Sequence, residues 1–402
     1  MKKKILIIYS ASKFPIRLSR WNHLYSFAKY SSNNIYYLNF LFSKNPWYCK
    51  KIQFDIVIFD HSITAPWVES TFLRNLESLK KLDFKHSIKV AFFQDEFFRT
   101  NLLCKFINEM DIEHVFSVAP KSEWKKIYHD VDFNKVSFHK VLTGYIEEDT
   151  LRRTKKLEKK IKRTIDIGYR TVWDVPYHLG KHGLLKTQIA SIFQNKAYSN
   201  NLKTDISIKW KDNISGFKWF KFLLSCKYTV GVLSGASMLD KDGAINARIQ
   251  KYLSKHPVAG FTEVEEHCFS GIDGNLNLLA VSPRHLEACI TKTCQILMEG
   301  DYEDILKPGI HYIELKKDFS NLNEILDIIK RDDMRHDITG NAYNDIVESK
   351  KYLYRNYVNF VFDSITQGQK MIMKASKWDQ MACIWALLMD KIYWFACFSL
   401  SQ

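Results

Sequence analysis

At 402 residues the chain is too long for one ordinary core, and 46% hydrophobic with 26% charged residues excludes a disordered polymer. Only 15 glycines and 8 prolines argue against collagen-like, linker-dominated and many-turned all-β architectures. Lys and Arg total 59 against 44 Asp and Glu; the net charge of +15 draws nucleic acid, anionic membrane or phosphorylated small molecules without choosing among them.

The chain opens Met1-Lys2-Lys3-Lys4 and then runs apolar from Ile5 to Tyr9. That run is too short for a secretory signal, so it reads as a first β-strand and the compartment as reducing cytoplasm. The eight cysteines contain no C-x-x-C pair, which excludes a zinc knuckle and a disulfide framework. Further apolar, β-branched runs lie at Ile35–Phe40, Asp55–Asp60, Ile88–Phe93, His114–Val118 and Val136–Leu142. Between them fall amphipathic segments such as Trp67–Leu82 and Phe97–Met110. Continuous apolar strands separated by helices predict a parallel sheet covered on both faces. Residues 1–150 are therefore expected to form a Rossmann-like domain. Its first turn, Ser10-Ala11-Ser12-Lys13-Phe14-Pro15, lacks the G-x-G-x-x-G of a dinucleotide binder.

Residues 151–163 are rich in Lys and Arg with no interleaved aromatic, which predicts a solvated basic linker and not a nucleic-acid surface. Alternation then resumes. Strands are expected at Ile165–Tyr169, Thr204–Lys209, Tyr228–Leu233, Gln295–Met298 and His311–Leu315, with helices at Leu184–Gln194, Phe217–Leu224, His285–Thr293 and Leu322–Ile329. These make residues 164–345 a second Rossmann-like domain. One long helix is predicted over Arg335–Phe362, with helical residues continuing through 346–377. The tail, 378–402, is apolar at Met381–Met389 and Ile392–Phe398 but broken by Asp390-Lys391, too interrupted to span a bilayer. Lys370, Lys374 and Lys377 before it, with Trp385, Tyr393 and Trp394 inside it, suit peripheral contact with an anionic membrane. The same pattern also suits a helix packed back on the protein.

The chemistry-bearing residues cluster at strand ends and one helix start. In Ser282-Pro283-Arg284-His285-Leu286-Glu287, Ser282 caps and Pro283 takes the first helical position. A helix N-terminus binds phosphate through its free N–H groups, and Arg284 would add a bidentate cation. Glu287, three residues on, shares that face and can accept sugar or ribose hydroxyls. After the strand Tyr228–Leu233, Ser234 and Gly235 let backbone amides approach a ligand. Arg170, ending the first strand of the second domain, is a further phosphate candidate. Phe59-Asp60-His61-Ser62 and Phe93-Gln94-Asp95-Glu96 close two strands on one edge of the first sheet, so His61, Asp95 and Glu96 are candidate proton acceptors. Arg17 and Arg20 could meet an anionic acceptor. No metal is expected: Asp240, Asp242 and Asp273 lack calcium-loop spacing, and His178 with His182 lack a third ligand.

The runs Arg284–Ala288, Thr293–Leu297 and Leu306–Ile313 resemble the C-terminal domain of GT-B glycosyltransferases, over about Lys203–Phe362. In that superfamily an R-x-F-E-A-like helix holds the diphosphate and ribose of a nucleotide sugar, which implies this role for Arg284 and Glu287. The cleft position that the superfamily gives a glycine and a cation corresponds to Gly168 and Arg170. The block His311–Asn321 is similar to transferases of bacterial surface-polysaccharide clusters. The sequence departs from the commonest retaining group, whose Glu-x7-Glu would place a glutamate where Gln295 stands.

The resemblance implies an α/β protein of two Rossmann-like domains facing a cleft, with a C-terminal helical tail. It would transfer sugar from a nucleotide sugar to a hydroxyl of a glycan or lipid-linked acceptor, without metal or cofactor, at the inner face of the plasma membrane. A nucleotide-sugar epimerase on the same fold would instead release a soluble product. A non-catalytic protein that binds nucleic acid or phosphate would show no turnover.

Overall fold

The computed structural model describes residues 2–11, 17–171, 177–366 and 377–399. Six strands from the first part of the chain form one parallel sheet: β1 (Lys4–Tyr9), β2 (Asn34–Asn39), β3 (Ile56–Phe59), β4 (Ile88–Phe93), β5 (His114–Ser117) and β6 (Ser137–Lys140). Every side chain of β1 is buried, as a strand packed on both faces requires. The spatial order is β2-β1-β3-β4-β5-β6. A second parallel sheet has the order β13-β12-β9-β7-β8, built from β7 (Ile165–Arg170), β8 (Thr204–Ser207), β9 (Cys226–Gly231), β12 (Cys294–Met298) and β13 (Ile313–Leu315). The expected pair of α/β domains facing a cleft, with a C-terminal helix, is what the chain adopts.

Both orders reverse direction once, between β1 and β3 in the first sheet and between β7 and β9 in the second. Ligands of open α/β sheets sit outside the carboxyl ends of the strands at such a reversal. Three backbone bonds also tie the domains together: Asp240 N–H to Phe97 O at 2.8 Å, Arg99 N–H to Asp240 O at 2.6 Å and Asn101 N–H to Lys241 O at 3.0 Å.

The long helix expected over Arg335–Phe362 is broken. It runs Arg335–Ala342, widens into a π-turn over Tyr343–Glu348, and restarts at Tyr354–Thr366. Between the pieces Lys350 adopts φ 60°, and Ile146 captures the neighbouring backbone through Tyr352 O at 2.7 Å and Tyr354 N at 3.0 Å. The chain returns to the first domain at this crossing. Tyr357, Val358 and Val361 then enter that domain's core beside Leu24 and Phe27.

The last helix, Lys377–Ser399, lies along the edge strand β2. Ala382, Ala386 and Asp390, four residues apart, face inward. The Tyr9 and Tyr25 hydroxyls donate to the Asp390 carboxylate. Trp385 packs on Trp47 and Tyr48, with ring centroids 5.6 and 5.8 Å away. Among the described residues no helix is long and apolar enough to cross a membrane. Lys370 and Lys374 lie outside the described residues, as do the side chains of Lys377, Tyr393 and Trp394.

A candidate active site in the interdomain cleft

The second sheet contributes a cavity of about 270 Å³ at the β7/β9 reversal. The helix Pro283–Ile290 points its N-terminus there; Ser282 N–H donates to His285 Nδ1 at 3.0 Å, fixing the cap. Arg284 lies on the first turn, and its guanidinium donates to the Arg170 carbonyl. The Trp219 ring sits 5.2 Å from the Arg284 guanidinium, and its indole N–H donates to Glu287 Oε2 at 2.8 Å. Burial raises the Glu287 carboxyl above its ordinary range, against the pull of that N–H and of Arg284 and Arg17. Lys186, from the helix Lys181–Ser199, also lines the cavity. Burial and the neighbouring Arg284 hold its amine down at about 8, while Asp95 pulls the other way. Among the described residues Arg17, Lys186 and Arg284 therefore oppose a single carboxylate. With the helix dipole, that surplus is suited to a diphosphate.

The first sheet contributes a second cavity, about 690 Å³, at the β1/β3 reversal. The two cavities share Arg17, Ser19, Ser234 and Pro283, so they form one cleft. Its first-domain wall carries Arg20, His23, His61, Gln94 and Asp95. His61 follows β3 directly, and its Nδ1 stands 3.2 Å from Asp60 Oδ2. Burial alone would raise the Asp60 carboxyl; His61, His23 and the Ser62 hydroxyl bring it well below the ordinary carboxylate range. His61 Nδ1 makes no hydrogen bond there, so the carboxylate acts on the ring through charge alone and would stabilise it once it accepts a proton. Asp95 reaches the cleft from a left-handed residue, φ 56°. The enclosing walls raise its carboxyl, against His61 and Lys186.

Not every predicted residue arrives here. Glu96 is wholly buried under the sheet, where its carboxylate accepts from Val118 N at 3.1 Å, Ala119 N at 3.0 Å and the hydroxyls of Ser117 and Tyr128. Burial pushes it up to about 7 despite those donors. It holds a loop and does not face the cleft. Arg170 is likewise turned away, paired with Asp205 at 2.7 Å and stacked on Phe222; only its carbonyl serves the site. Gly235 is not a ligand loop but part of the short antiparallel pair β10 (Ser234–Ala236) and β11 (Leu278–Ala280), while Ser234 does line the cleft. Arg20 donates to Ser10 O at 3.0 Å at the cleft wall. Lys186 and Trp219 were not foreseen: each comes from a helix remote in sequence, and no local pattern marks it.

His23, Asp60 and His61 bring three potential metal-ligand atoms within 4.8 Å of one another, the one such group found among the described residues. Asp60 already accepts from Ser62 N at 3.0 Å and from the Ser62 hydroxyl. Asp240, Asp242 and Asp273 do not converge: Asp240 and Asp242 accept from the backbone at a helix start, and Asp273 accepts from Ser237.

No protein-family model matches this sequence, and no curated protein does. The fold has solved counterparts. T4 phage BGT, solved with its UDP-glucose substrate, is 13% identical, with 90% of this chain and 99% of that one covered at a TM-score of 0.50. A glycosyltransferase from Rickettsia africae is 12% identical over 91% of this chain and 98% of that one, with a TM-score of 0.49. Anabaena HepE, solved with UDP and glucose, is 9% identical over 92% and 100%, with a TM-score of 0.49.

Proposed function

We propose that the protein transfers a sugar from a nucleotide-activated donor in the second domain to an acceptor hydroxyl presented by the first. The observation that carries this reading is the cation-rich helix start at Arg284 facing the His61 and Asp95 wall across one cleft. The likeness of fold to T4 phage BGT, which takes UDP-glucose, supports a nucleotide sugar as donor.

Departure of the donor leaves negative charge on a diphosphate. Arg284, Lys186 and the N–H groups of the Pro283 helix are placed to stabilise that charge without a divalent ion. Glu287, held by Trp219, accepts hydroxyl groups of the nucleotide or sugar. On the opposite wall His61 takes the proton of the attacking hydroxyl, with Asp60 stabilising the imidazolium. Asp95 accepts a second acceptor hydroxyl and fixes its approach. The acceptor is a surface glycan or lipid-linked sugar, met at the cytoplasmic face of the membrane.

A thermal-shift series with nucleoside diphosphates and UDP-sugars tests the donor half, since a ligand at a hundredfold excess over its Kd stabilises by about 2.7 kcal/mol. A rise in Tm with one nucleotide, abolished in Arg284→Ala, supports the reading. No shift with any nucleotide or nucleotide sugar overturns it.

A further inference from the structure

We infer that the outward face of the helix Lys377–Ser399, together with the segment after β2, docks on an anionic bilayer and seats the cleft mouth against it. The inference rests on the lipid-linked acceptor proposed above and specifies how such a molecule reaches His61.

The helix buries Ala382, Ala386 and Asp390 and turns Met381, Ile384, Leu388 and Ile392 outward, each between 49% and 67% exposed. Their spacing of three, four and four residues makes one continuous apolar stripe. Scattered apolar residues on a surface mean little, but a contiguous stripe marks an interaction site. It does not stand alone. Trp47 meets Trp385 of this helix, and Leu41, Phe42 and Trp47 are themselves 39% to 47% exposed. Leu41 is also a wall of the acceptor cavity. The apolar surface thus runs from the helix to the cleft mouth.

Its charge selects the occupant. From Asn34 to Phe54 there is no acidic residue, while Lys44, Lys50 and Lys51 are exposed. On the helix Lys391 is exposed, and Asp390 is turned inward to Tyr9 and Tyr25. An apolar stripe rimmed by lysines is the pattern of a helix lying in an anionic interface. A second copy docked on the same face would bring two lysine-rich surfaces together, since a two-fold interface uses the same patch on both subunits. An acceptor held in the bilayer by its lipid would then present its head group beside Leu41, at the opening that leads to His61.

Co-sedimentation of the full chain with phosphatidylglycerol–phosphatidylcholine vesicles, compared with pure phosphatidylcholine, tests this. Binding to the anionic vesicles that weakens with salt is expected. Ile384→Asp with Leu388→Asp, and separately Lys50→Glu with Lys51→Glu, should each weaken it about tenfold or more. The nucleotide-induced Tm shift, which reads the donor cavity, should be unchanged in both, since none of the four substituted residues lines it. Equal binding by wild type and the two double variants overturns the surface. So does a dimer in analytical ultracentrifugation that the Ile384/Leu388 variant abolishes, because the stripe is then covered by a second copy. Loss of nucleotide binding in wild type strikes the sugar-transfer reading instead, and vesicle binding is scored independently of it.

Discussion

Trp219 donates its indole N–H to the Glu287 carboxylate at 2.8 Å, from a helix nearly seventy residues earlier in the chain. The same ring underlies Arg284, so one side chain orients both charged groups of the helix start. Trp219→Phe keeps a ring beneath the guanidinium and removes only the donor. It should weaken nucleotide binding by about 1 kcal/mol, roughly fivefold, in calorimetric titration. Arg284→Ala should cost on the order of 10²–10³ in turnover, the usual scale for losing a group that stabilises leaving-group charge.

Asp95 and Glu96 are neighbours with opposite fates, and that difference is testable. Asp95→Asn should reduce kcat on the order of 10²-fold with nucleotide binding intact, because only Asp95 reaches the cleft. Glu96→Gln turns an amide group toward four converging donors. It should lower stability by about 1–3 kcal/mol in urea denaturation while kcat of the folded protein stays near wild type. The reverse pattern would reject the assignment of roles.

His285 makes the donor site sensitive to acid. Burial, reinforced by Arg284 and Lys186, holds its imidazole down at about 3, against an ordinary value near 6.5. Between those values the unfolded chain binds a proton that the native state refuses, so stability is lost as pH falls through this window. Each unit costs about 1.4 kcal/mol, giving about 2–3 kcal/mol between pH 6.5 and 4.5. His23, held down at about 4, acts in the same direction. The informative quantity is therefore the difference from His285→Gln, which preserves an acceptor for Ser282 N–H. That variant should lose less stability on acidification; identical pH profiles by denaturant titration would count against the linkage.

The strands were legible because a parallel strand needs apolar residues on both faces: Ile88–Phe93 coincides with its predicted run. Arg284 and Glu287 were legible because a capped helix start is a local pattern with a fixed spacing. Strand ends were harder. Which of Gln94, Asp95 and Glu96 faces the cleft depends on a left-handed turn at Asp95 that no neighbouring glycine announces. Arg170 was misjudged for a related reason, since Asp205 and Phe222, which hold its side chain, lie on other elements.

Gly235 illustrates a glycine needed by the fold and not by the ligand. Its φ is 130°, and a Cβ there would lie 1.8 Å from the carbonyl oxygen of Leu278 on the paired strand. Gly235→Ala should therefore destabilise the protein by about 3 kcal/mol, read as a fall in the urea midpoint. A midpoint equal to wild type would mean that β10 and β11 separate at little cost.

The return of the chain at Ile146 and Tyr352 makes the second domain, in topological terms, an insertion inside the first. During synthesis the six strands of the first sheet are complete by Lys140, yet the helix Tyr354–Thr366 that fills its core emerges about two hundred residues later. At about 5–20 residues per second, that interval is on the order of ten seconds or more. Throughout it, β2 remains an unprotected sheet edge, because the helix that covers it, Lys377–Ser399, follows later still in the chain. The first domain thus completes its core only after the whole of the second domain has been made.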